Sequence, residues 1–215
     1  VPTNGFRKLH HRAPMKKIAI TGGIGSGKSY VCDLIASKGF PVFYSDQWAK
    51  DLMVSDAQLR RAIEQLIGEE AYQSDHDHNI RLNQAFIASR IFGQAALKLQ
   101  LEQLVHPVVR SAFEQWVKDQ TTALVFQESA LILATEYYKN FDAIVLVSCP
   151  DELRISRVMQ RDGVDRMTVI SRMKAQPDFE SLLDRVTHLI DNSGDQSLED
   201  QVEALLVDLL GHSDL

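Results

Sequence analysis

Gly22, Gly27, Lys28 and Ser29 meet the spacing G-x-x-x-x-G-K-[ST] inside the stretch AITGGIGSGKSYV. That spacing suits a polyphosphate. A loop wrapped around a phosphate must turn tightly and bring backbone N–H groups against the oxygens with no Cβ in the way. Gly22, Gly23, Gly25 and Gly27 permit this, with Ile24 and Ser26 between them. Lys28 adds a mobile point charge for the β- and γ-phosphates, and a helix starting at Ser29 and Tyr30 would present its positive end. The Ser29 hydroxyl is the expected Mg²⁺ ligand. Gly22 to Tyr30 therefore read as a site for a nucleoside triphosphate.

The next question is what receives the terminal phosphate. A GTP-dependent switch would carry N-K-x-D, which is absent, and an early D-x-x-G, whereas Asp191 to Gly194 comes late. A motor ATPase would close a long apolar strand on an acidic pair, but AIVLVSCP ends on cysteine and proline. A small-molecule kinase needs a carboxylate near the γ-phosphate, a place for the acceptor and arginines to balance the moving charge. Asp46, closing the second apolar run, is the candidate carboxylate, and Arg154, Arg157 and Arg161 follow the fourth run at helical spacing. Such arginines can converge on phosphates as a lid or can form a solvated basic face; Arg157 and Arg161 are the stronger candidates.

The elements that must position these groups are legible as apolar runs. KKIAIT (16–21), FPVFYSD (40–46), ALVFQESAL (123–131), AIVLVSCP (143–150) and THLIDNSG (187–194) read as strands. Their consecutive apolar residues, without strict alternation, fit a parallel sheet covered on both faces. Helices are expected over 29–40, 151–162, 166–176, 177–186 and 198–210. About seventy residues between the second and third strands exceed one crossover and predict a helical insertion. Within it, the segment from Leu82 to Gln120 is too long for one helix, with Pro107 the expected kink or first-turn position. The fold class is therefore α/β: a three-layer P-loop NTPase fold with a five-stranded parallel sheet, a helical substrate-binding insertion and a helical lid. Residues 15–46 and 121–215 form the nucleotide-binding core, including the lid at about 151–176, and residues 47–120 form the acceptor-binding subdomain. Residues 1–14, ahead of Met15, read as an appended leader.

Composition narrows the partners. The 215 residues carry a formal net charge of −6, which gives no basis for tracking nucleic acid or an anionic membrane. Two cysteines, Cys32 and Cys149, form neither a disulfide framework nor a zinc spacing, and no apolar run reaches the roughly 18 residues of a membrane span. A soluble cytoplasmic protein is expected, with no indication of oligomeric state. His76 and His78 lie in a polar stretch that reads as a loop.

Taken together, ITGGIGSGKS, the acidic residue after the second strand, HPVVR, ESALIL, SRVMQRDG and IDNSG resemble the dephospho-coenzyme A kinase family from Met15 to the C-terminus. The resemblance implies transfer of the γ-phosphate of ATP to the ribose 3′-hydroxyl of dephospho-CoA, with Mg²⁺, as the last step of coenzyme A synthesis. It implies Asp46 as the carboxylate facing the acceptor, although Tyr44-Ser45-Asp46 stands where the family usually has Asp-Ala-Asp. His106 and Arg110 match its His-Pro-x-x-Arg and imply contacts to the acceptor's anionic or ribose groups; His106 can instead satisfy a local carbonyl. Glu128 is implied at the metal or substrate, or is a buried structural partner. Arg157 and Arg161 coincide with arginines near the ATP phosphates, Gln176 with a recurrent glutamine, and Asn192 is implied near the adenine or serves as a turn residue. Other small-metabolite kinases, or a nucleotide-dependent binding module, are the alternatives.

Overall fold

The computed structural model of the chain describes residues 14–76 and 79–211. The leader and His78 of the polar stretch fall outside these residues, apart from Pro14. The chain runs β1 (Lys16–Thr21), α1 (Lys28–Ser37), β2 (Val42–Tyr44), α2 (Ser45–Ser55), α3 (Ala57–Ile67), β3 (Tyr72–Ser74), β4 (Ile80–Leu82), α4 (Gln84–Ile91), α5 (Ala95–Lys118), β5 (Leu124–Glu128), β6 (Ala143–Ser148), α6 (Asp151–Asp162), α7 (Arg166–Lys174), β7 (His188–Asp191) and α8 (Leu198–Leu210).

Five strands form one parallel sheet in the order β2-β5-β1-β6-β7. The chain leaves β1 toward one edge, returns beside it as β5, and then builds the other half. Connections therefore diverge on either side of β1, and such a switch point opens a crevice at the carboxyl ends of the strands. The central strands are consecutively apolar because both faces are covered. On one face Ile18, Ile20, Phe126, Val145, Val147 and Ile190 meet α1 through Val31 and Ile35 and α8 through Val202 and Leu205. On the other, Ala19 and Ile144 meet Ile132 and Leu133 of a short 3₁₀ turn.

Phe43 of β2 fastens the insertion to the sheet. Its ring stacks on Trp48 with centroids 4.7 Å apart and meets Phe113 edge-on at 5.3 Å. Leu59, Ile63, Val105 and Val109 complete that second core.

Several expectations are corrected. The second strand ends at Tyr44, so Asp46 sits in the first turn of α2 and not on a strand. Helix α1 begins at Lys28, one residue early. Helix α5 runs unbroken through Pro107, because Val105, Val109 and Phe113 pack against the same core on both sides of it. The interruption falls instead at Gly93, whose φ of 71° ends α4. The insertion also contains an antiparallel ribbon, β3 with β4. Residues 177–186 hold a 3₁₀ turn, Glu180–Arg185, in place of the expected helix.

Candidate active site

Strand register brings the site together. Ile20 of β1 and Tyr44 of β2 both pair with Glu128 of β5. The glycine loop two residues after Ile20, the carboxylate of Glu128, and Asp46 two residues after Tyr44 thus leave the sheet side by side. One cleft is lined by Gly25, Gly27, Lys28, Ser29, Asp46 and Glu128, and Arg157 and Arg161 border it as well.

Gly27 sits at the N-cap of α1 with φ 95° and no side chain caps the helix. The leading amides, the anion-binding groups of a helix start, are thus left to a ligand. Among the described residues Lys28 is held by long contacts, 3.5 Å to the Gly23 carbonyl and 3.8 Å to Glu128 Oε1. Attraction alone would raise the Lys28 pKa and lower that of Glu128. Burial dominates in both, pushing the ammonium down and the carboxyl up. Phosphate oxygens would give the buried ammonium closer counter-charges than these long contacts do. The uncapped amides, the left-handed glycines and this loosely held lysine suit a polyphosphate with its metal.

The loop glycines also serve a purpose the motif does not announce: the loop is braced from outside. Arg154 Nε donates to the Ile24 carbonyl at 3.0 Å, Ile24 N–H donates to Gln176 Oε1 at 2.7 Å, and Asn192 Nδ2 donates to the Ser26 carbonyl at 2.7 Å. The Ile24 side chain packs against Ile155, Val158 and Val169 between α6 and α7. A Cβ on Gly23 would strike the Arg154 guanidinium, one on Gly27 the Asn192 amide, and one on Gly25 would stand 2.6 Å from the Arg154 carbonyl oxygen. Gly25→Ala is therefore expected to raise the KM for ATP at least tenfold and lower the melting temperature. Its φ of 76° by itself costs an alanine about 1–2 kcal/mol, and a backbone oxygen cannot swing aside. Gly23→Ala should be milder, since its obstacle is a mobile side chain; steady-state kinetics and thermal melts on both variants check the order.

The three arginines do not act as one face. Arg154 is turned to the outer side of the loop and paired with Asp151 at 2.8 Å, leaving Arg157 and Arg161 at the cleft. Helical period fixes a shared face but not position along the axis, and seven residues span about 10.5 Å. Arg157 bonds Cys149 Sγ and the Asn192 carbonyl, each at 3.2 Å, and Arg161 is clasped to Asp162 at 2.7 Å. Tyr30 is half exposed, and its hydroxyl donates to Glu199 at 2.9 Å. Asn192 is buried beneath the loop.

A second cavity adjoins the cleft. Asp46, His106 and Arg110 line it, with Ser45, Gln127 and Tyr137. Asp46 borders both spaces. His106 and Arg110 lie one turn apart on α5, where burial lowers the histidine's pKa and so favours the neutral ring. Arg110 lies 4.5 Å over the Tyr137 ring and donates to Thr135 Oγ1 at 3.3 Å. Ser45, Gln127 and Tyr137 of this cavity, and Lys50, which lines the phosphate cleft, escaped sequence reasoning. The i, i+4 spacing from Asp46 to Lys50 and a glutamine within an otherwise apolar strand are legible signals; Tyr137 has none.

A parallel sheet with a phosphate-loop motif at its switch point and a second cavity beside it is the architecture of P-loop small-molecule kinases. The chain belongs to the dephospho-CoA kinase family, whose sequence profile matches residues 16–198. Dephospho-CoA kinases of Salinibacter ruber and Bacteroides fragilis are 37% and 32% identical, over 84% and 88% of this chain and 90% and 91% of theirs. A solved structure from Thermus thermophilus is 30% identical with a TM-score of 0.78, covering 93% of this chain and all of the other. Shikimate kinase from Acinetobacter baumannii, at 15% identity, TM-score 0.51 and coverage of 94% and 96%, shares the fold. The protein is thus an ATP-using transferase. The alternatives raised by the sequence are not favoured. No described helix is long and apolar enough to cross a membrane.

Proposed function

We propose that the protein transfers the γ-phosphate of ATP to the ribose 3′-hydroxyl of dephospho-CoA in the cytoplasm. The observation that carries this reading is the position of Asp46, which borders both the phosphate cleft and the adjoining cavity. A hydroxyl held in the cavity would meet Asp46 on the side facing the cleft. Asp46 orients that hydroxyl and accepts its proton, Lys28 offsets charge on the transferred oxygens, and Arg157 and Arg161 do so from the lid. Arg161 must first leave Asp162. Arg110 and His106 hold the acceptor, Arg110 through charge-assisted hydrogen bonds to its anionic groups. Glu128 keeps Lys28 in place. Asn192, with Gln176 and Arg154, keeps the loop in shape.

Mg²⁺, when bound, neutralises part of the polyphosphate charge, and Ser29 is the residue that would hold it. A coupled ADP-release assay with Mg·ATP tests the reading against a panel of acceptors. Release should depend on dephospho-CoA and yield coenzyme A, with adenosine and shikimate inert. Turnover of another acceptor but not of dephospho-CoA would overturn it.

A further inference from the structure

The wall of the acceptor cavity contains a hydrogen-bonded rail that none of the assigned roles uses. Tyr137 O–H donates to Gln127 Oε1 at 3.2 Å, and Gln127 Nε2 donates to Ser45 Oγ at 2.9 Å. Gln127 is 2% exposed, on a strand whose other residues are all buried. A buried amide is costly unless both ends are satisfied, and here they are. The Tyr137 end is anchored in turn beneath the Arg110 guanidinium. In this arrangement Gln127 presents its N–H₂ end to Ser45.

That orientation has a consequence for the serine. Ser45 Oγ accepts from Gln127, and its own proton finds no acceptor among the described residues. Ser45 and Asp46 are consecutive at the start of α2, and both line the cavity. The first turn of α2 therefore lines the cavity with one acceptor and one donor on consecutive residues. Tyr44, by contrast, is committed elsewhere: its hydroxyl donates to Asp33 at 2.9 Å.

Resting on the function proposed above, we propose that Ser45 is a substrate-binding residue that reads the vicinal diol of the acceptor ribose. Its hydroxyl donates to the 2′-oxygen while Asp46 receives the 3′-hydroxyl. Gln127 and Tyr137 are positioning residues that aim it.

The test is a cycle of enzyme variant against substrate. Wild type and Ser45→Ala are assayed with dephospho-CoA and with its 2′-deoxy analogue, at saturating ATP. Ser45→Ala should raise the KM for dephospho-CoA about fivefold, the effect of one neutral hydrogen bond. The KM for ATP should stay within twofold, and the variant should show no further loss on the 2′-deoxy compound. Gln127→Leu should give the same pattern through an unaimed serine, with Tyr137→Phe weaker, and thermal melts would register any separate folding defect as lost stability with unchanged KM values. Equal losses on both acceptors, or a parallel rise in the KM for ATP, would overturn the proposal and leave the kinase reading intact. Wild-type enzyme without turnover on dephospho-CoA would overturn both.

Discussion

Replacing Asp46 by asparagine is expected to lower kcat on dephospho-CoA about 10³-fold, within the range general-base catalysis supplies, while the KM for ATP stays within about twofold. The amide keeps the shape of the side chain and can still hydrogen-bond the acceptor hydroxyl, but it cannot take the proton. The fold should survive. Asp46 lies in the first turn of α2, where its charge favours the helix by roughly 0.3–1 kcal/mol. The packing that holds α2 comes from Phe43 and Trp48, which the substitution leaves untouched. Rapid-quench or steady-state assays give the rate, and calorimetry with Mg·ATP gives the affinity. Unchanged turnover would remove Asp46 from the base role, and loss of ATP binding in proportion to kcat would make it a nucleotide ligand.

Lys28→Met is the second large effect: kcat/KM for ATP should fall by about 10³, as for removal of one donor aimed at developing charge. The stability consequence is subtler and has a definite sign. In the folded protein burial depresses the Lys28 pKa below its ordinary value. Its destabilising contribution is therefore present in full below the folded pKa and disappears as the pH rises past the ordinary lysine value. Removing Lys28 relieves that contribution but leaves Glu128 buried without its cation. The Glu128 pKa, already raised by burial, should rise further. A carboxyl whose folded pKa is raised destabilises the fold above that pKa and ceases to do so below the ordinary value near 4.5. Relative to wild type, Lys28→Met should thus gain melting temperature on going from pH 7 to pH 5. Lys28→Met/Glu128→Gln should lose that pH dependence and remain inactive. A single variant with wild-type pH dependence would show that the two side chains are not coupled.

Much of the fold is local, and local patterns carried it. Five apolar runs became five strands, and the helices at Asp151–Asp162 and Leu198–Leu210 begin and end where their periodicity does. The differences arise where tertiary contacts outweigh local preference, as at Pro107, or where local turn chemistry goes against helical periodicity, as past Pro177. Pro107 loses one backbone donor, yet α5 continues because apolar side chains on both sides of it share a core. The 3₁₀ turn at Glu180–Arg185 starts just past Pro177, with the Glu180 N–H donated to the Asp178 carboxylate at 3.1 Å.

The sequence by itself determined the chemistry of the nucleotide end, because that chemistry is built from eight consecutive residues whose spacing is its own geometry. It also specified a parallel sheet, since runs apolar at every position must be covered twice. Only the tertiary structure decided which carboxylates and arginines share the cleft, that Arg154 braces the loop from behind, and that Ser45, Gln127 and Tyr137 line the adjoining cavity. These residues lie up to 130 positions apart, and strand register and helix packing bring them together. Such register is set by the whole core at once and leaves no periodic trace in any one segment.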